Sequence, residues 1–76
     1  MQVLLRQVKT KLFYVGEGQW SYKTETAKDF RTLAEAQRCA TLEKLAGIEL
    51  VMLNKHPHWE AVWPLKEPSA STMFSN

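Results

Sequence analysis

The chain has 76 residues, of which 45% are hydrophobic and 24% charged, and its formal net charge is +2. That describes one folded domain near the lower size limit for a single core, and excludes a chain that is disordered throughout. The charge is mildly basic and falls short of the concentrated footprint of a dedicated nucleic-acid binder. The single cysteine, Cys39, rules out an intrachain disulfide. A secreted domain this small ordinarily carries several, so a reducing cytoplasm is the expected location. The N-terminal apolar run is too short and too interrupted by charge for a signal peptide, and nothing approaches the length of a membrane span.

In chain order, Val3–Val8 reads as a strand and Lys9-Thr10 as a tight turn. Leu12–Val15, aromatic and β-branched, is a second strand. Gly16-Glu17-Gly18-Gln19 has the length and the glycines of a loop joining antiparallel strands, and Trp20–Lys23 is a short third strand. Thr24–Asp29 is a polar connection, with Ala27 and Phe30 expected to turn back to the core. Thr32-Leu33-Ala34-Glu35 matches a capping box, which starts a helix from Leu33 to about Ala46, with Gly47 as its left-handed stop. The helix carries a stripe of mostly small residues, Leu33, Ala36, Cys39 and Ala40, suited to close packing on a sheet. Ile48–Leu53 is the strongest strand, Lys55–His58 a turn, and Trp59–Trp63 a final strand stopped by Pro64.

The expected fold is α+β: an antiparallel sheet of four to five strands, β-β-β-α-β-β, with one helix on one face. Residues 1–65 form the domain, and 66–76, rich in Ser and Pro, form a tail expected to be disordered. One helix covers one face only. Yet Ile48, Leu50 and Met52 point one way and Val51 and Leu53 the other, and both sets are apolar. A solvated second face should alternate more cleanly, so Val51 and Leu53 are expected to meet a partner, for which a second copy is the simplest choice.

Chemistry-bearing patterns are sparse. The Gly16-Glu17-Gly18 loop lacks the third glycine and the following helix of a dinucleotide or phosphate site. His56-Pro57-His58 has two ligand-type side chains but only Glu60 close in sequence, short of a metal set. Cys39, mid-helix, has neither a helix N-terminus nor a histidine to activate it. The carboxylates are scattered, so no catalytic residue, cofactor or metal is assigned, and the chain reads as non-enzymatic. What rises above this background is a basic and aromatic set, Arg6, Lys9, Lys11 and Lys23 beside Phe13, Tyr14, Trp20 and Tyr22. Such sets hold single-stranded nucleic acid on small sheets. The interaction residues expected are therefore Arg6, Lys9, Lys11, Trp20, Tyr22 and Lys23, together with Val51 and Leu53. Contact with a protein, a homodimer included, is the first reading and nucleic acid the alternative.

Thr10, Phe13-Tyr14-Val15-Gly16 and Gln19-Trp20, then Ala27-x-Asp29-Phe30, Ala36, Ala40, Leu45, Ile48-Glu49-Leu50-Val51 and Trp63-Pro64-Leu65 make one string. It resembles small bacterial conserved hypothetical proteins that run T-x-x-Y-Y-x-G-x-G-x-W-T, A-x-D-F, a helix, and V-E-L-V. Phe13 and Ser21 stand where that pattern has Tyr and Thr. The resemblance implies the same fold outline, with Trp20 plugging the sheet and Asp29-Phe30 anchoring the loop into the helix. It implies no activity.

Overall fold

The computed structural model describes residues 1–65; the expected tail lies outside them. The fold is α+β. Strands β1 (Gln2–Gln7), β2 (Phe13–Gly16) and β3 (Gln19–Ser21) precede helix α1 (Leu33–Leu42), and β4 (Ile48–Lys55) and β5 (His58–Pro64) follow it. All neighbours are antiparallel, in the order β3-β2-β1-β4-β5. The first strand in sequence is thus the middle of the sheet.

Glu17 and Gly18 join β2 to β3 with φ of 52° and 76°. Two successive left-handed residues make the two-residue turn whose twist matches antiparallel strands. The register slips by one between Tyr14 and Gly16, a bulge ahead of that turn. The glycines serve the backbone.

The helix departs from expectation at its C-terminus. It starts as the sequence predicts, with the Thr32 hydroxyl accepting from the Glu35 N–H at 3.2 Å. The Thr32 N–H donates to the Phe30 carbonyl, so Glu35 has no capping return to make. It ends at Leu42, well before Ala46. Lys44 takes the left-handed position with φ of 54°, its N–H donating to the Thr41 carbonyl, and the Leu45 N–H donates to Ala40. That is a Schellman end. It forms early because it brings Leu45 down against the main core. Gly47, also left-handed, accepts from the Val8 N–H as the chain enters β4.

β1 and β2 pair only at Arg6 and Phe13. The gap beyond is filled by the connection between β3 and α1. Lys28 donates its N–H to the Tyr14 carbonyl and Phe30 its N–H to the Val3 carbonyl, each at 2.9 Å. Asp29 Oδ1 accepts from the Val3 N–H at 3.0 Å and from the Arg31 N–H at 2.9 Å. The segment crosses the sheet here. Ala27 packs on one face and Phe30 on the other.

Both faces are therefore built from this one chain. Under the helix, Val3, Leu5, Tyr14, Phe30, Ala36, Ala40, Ile48 and Leu50 form the main core. Phe30 stacks on Tyr14, and Trp20 meets the Tyr14 ring edge-on with centroids 5.2 Å apart. On the opposite face Leu4, Phe13, Val51 and Leu53 form a smaller cluster with Ala27 against it. Among the described residues no helix is long and apolar enough to cross a membrane.

Candidate functional site

Val51 and Leu53 are 1% and 7% exposed. Sequence parity placed both on the second face correctly, but they lie inside the chain's own smaller cluster and offer no free surface. Beside them Arg6 lies over the Phe13 ring, and its Nε meets the Glu49 carboxylate at 2.7 Å. Lys11 reaches the same oxygen at 3.5 Å, and Glu60 stands 3.7 Å from Arg6. Burial pushes the Glu49 carboxyl up, but the Arg6 hydrogen bond and charge, with Lys11, outweigh it and hold Glu49 below the usual glutamate range. Of the basic and aromatic set, Arg6 is thus engaged within the chain and Trp20 packs against the core, while Lys9, Lys11, Tyr22 and Lys23 remain exposed.

A cleft of about 390 Å³ opens on the helix side, lined by Tyr14, Val15, Gly16, Glu17, Gln19, Lys28, Cys39 and Glu43. The Tyr14 hydroxyl donates to Glu43, and the Cys39 thiol lies 3.7 Å from the other oxygen of that carboxylate. The bond to Glu43, then burial, pushes the Tyr14 phenol up to about 12. Burial, then the Glu43 charge, pushes the Cys39 thiol up. Both groups are held protonated, the opposite of what a nucleophile or a general base needs near neutral pH. Among the described residues no three His, Cys, Asp or Glu side chains converge as metal ligands.

The feature that sequence reasoning missed is the outer edge of β5. This strand pairs with β4 over all seven of its residues, from Lys55↔His58 to Glu49↔Pro64, with no bulge. Nothing pairs its other side among the described residues. The Leu65 N–H donates to the Ile48 carbonyl. Exchanging pairs alternate along an antiparallel ladder, so Trp63, Ala61 and Trp59 exchange bonds with β4. The backbone groups of His58, Glu60 and Val62, with the Pro64 carbonyl, consequently point outward. Pro64 sits where its missing N–H costs the sheet nothing.

The side chains of Trp59, Ala61 and Trp63 share the helix face, opposite Asn54, Met52 and Leu50. The helix packs chiefly over β1, two strands away. Trp59 is 41% and Trp63 49% exposed. Edge strands are commonly guarded by lysine, a mid-strand proline or a bulge. β5 has only Glu60, whose charge is turned toward Arg6. The tryptophans were legible as strand residues; their place on an edge needed the strand order. Compared with known proteins, the chain matches no family model, no curated protein and no solved structure.

Proposed function

We propose that this chain is a small, non-enzymatic cytoplasmic interaction module, akin to the bacterial conserved hypothetical proteins it resembles, and that it acts by offering the free edge of β5 to another protein chain. One observation carries the reading: a long, regular, unguarded edge strand flanked by two half-exposed tryptophans. Strand addition takes its affinity from such backbone groups and its selectivity from the side chains beside them. Tryptophan supplies large contact area at low entropic cost. The surface differs from the sheet face that parity suggested, because that face is filled by Leu4, Phe13, Val51 and Leu53. The protonated Tyr14 and Cys39 support a non-enzymatic role. The nucleic-acid alternative rests on Lys9, Lys11, Tyr22 and Lys23 alone, with Arg6 engaged by Glu49 and Trp20 packed on Tyr14.

A photo-cross-linking amino acid at Val62, itself exposed and on this edge, tests the proposal in cells. A discrete protein adduct is expected. No protein adduct would refute the reading, and nucleic-acid adducts from a probe at Tyr22 would favour the alternative.

A further inference from the structure

We infer that the occupant of the β5 edge is a second copy of this chain, paired antiparallel about a two-fold axis through Ala61, so that two five-stranded sheets join into one. The inference rests on the edge-pairing reading above and adds the partner and its register. The strand reads Trp59-Glu60-Ala61-Val62-Trp63. Trp59 and Trp63 stand equally far from Ala61, so a two-fold axis there sets each tryptophan against the other's copy.

Three registers centre on the strand's interior, and the chemistry separates them. The outward backbone groups belong to His58, Glu60 and Val62, with the Pro64 carbonyl. An axis through Ala61 sets Glu60 against Val62 of the second copy and His58 against Pro64, which yields about six inter-strand hydrogen bonds, Pro64 donating none. It sets Trp59 opposite Trp63 twice, in the closely spaced non-bonded positions where cross-strand aromatic pairs pack best. Ala61 meets Ala61 at the axis, where a larger side chain would hold the strands apart. An axis through Glu60 places two carboxylates in direct opposition and leaves Trp63 without an aromatic partner. An axis through Val62 pairs Trp63 with Ala61 and separates the tryptophans. The Ala61 register alone brings all four tryptophans into pairs while each Glu60 keeps its place beside Arg6. Since the helix lies over β1, two strands away, neither copy's helix obstructs the joint.

The test combines association with register. Sedimentation equilibrium of the full chain at ~100 μM is expected to give a dimer. Ala61→Lys, which apposes two ammonium groups, is expected to weaken association roughly tenfold or more. Val62→Pro, which deletes an outward donor and no bond to β4, is expected to do the same; circular dichroism confirms that each variant folds. In a Cys39→Ala background, mild oxidation of Ala61→Cys should trap a covalent dimer. Across non-bonded antiparallel partners the Cα atoms lie about 4.5 Å apart, within disulfide reach. Val62→Cys should not be trapped, because in this register its two copies lie about 8 Å apart. A monomer at ~100 μM, or Val62→Cys bridging as readily as Ala61→Cys, overturns the inference. A monomer whose Val62 probe still captures a different protein overturns self-pairing and leaves the edge-pairing reading standing. A monomer with no protein adduct removes both, and one whose β5 amides are nonetheless protected from exchange assigns the edge to residues 66–76 of its own chain.

Discussion

Replacing Asp29 by alanine should be among the most damaging surface substitutions in this domain. Asp29 is exposed, yet its Oδ1 takes two backbone N–H groups, from Val3 at 3.0 Å and from Arg31 at 2.9 Å. Arg31 is exposed and its freed N–H can turn to water, so that loss costs about 0.5 kcal/mol. Val3 is 1% exposed, and its N–H faces the gap that β2 does not fill. Left unpaired it costs about 1–3 kcal/mol. The sum is about 1.5–3.5 kcal/mol, a large part of the roughly 4–11 kcal/mol expected for a domain of this length. At about 4–8 °C per kcal/mol the melting temperature should fall by roughly 6–28 °C. Asp29→Asn keeps an acceptor at the same place and loses only the charge assistance, so about 1 kcal/mol is expected. Urea unfolding followed by tryptophan fluorescence measures both. If Asp29→Ala lies within about 0.5 kcal/mol of the parent, or Asp29→Asn is equally severe, the paired N–H groups are not what hold the crossing segment.

Glu49 is held below its usual pKa in the fold, so its contribution is present above the unfolded value of about 4.3 and is lost as pH falls through the lower folded value. Glu49→Gln should therefore lose stability at pH 7 and flatten the decline below about pH 5, as read from urea midpoints across pH; an unchanged acid slope would contradict this. Tyr14, raised to about 12, should give a late phenolate absorbance step near that pH. Its stabilising share is complete below the unfolded value of about 10 and disappears as pH rises through about 12. Tyr14→Phe should abolish the step, and a Tyr14 step near 10 would exclude the Glu43 bond. Burial holds the Cys39 thiol up first and the Glu43 charge adds to it, so Glu43→Gln should speed alkylation of Cys39 at pH 8; an unchanged rate argues against it. Lys44→Gly relieves a left-handed non-glycine residue and should add about 0.5–1 kcal/mol, seen as a raised melting temperature.

Period and turn chemistry made the element order readable, because each signal is local. The Thr32 start, the Glu17-Gly18 turn and the apolar Ile48–Leu53 run announce themselves within a few residues. What stayed hidden depends on distant partners. Gly47 looks like the natural stop of α1, whereas packing of Leu45 against the main core makes Lys44 accept the left-handed role. Arg6 looked available for a ligand until Glu49, 43 residues away, was brought beside it. Parity exposed the apolar second face, but not that Val51 and Leu53 would join Leu4 and Phe13 in a cluster with Ala27 against it. The β5 edge was the least legible part of all, since which strand lies outermost is a property of topology and leaves no mark on the strand itself.

Placing the first strand at the centre of the sheet governs how the chain is born. β1 pairs with β4 from Gln2↔Leu53 to Gln7↔Ile48, at separations of 51 down to 41 residues. A growing polypeptide that has made only the β2–β3 hairpin still carries Val3, Leu4 and Leu5 with no mate. Such distant closure slows folding and prolongs exposure of sticky segments. Shortened chains ending before Ile48 should behave as unfolded, aggregation-prone polypeptides. The domain can be completed only as a whole, after β4 has been synthesised.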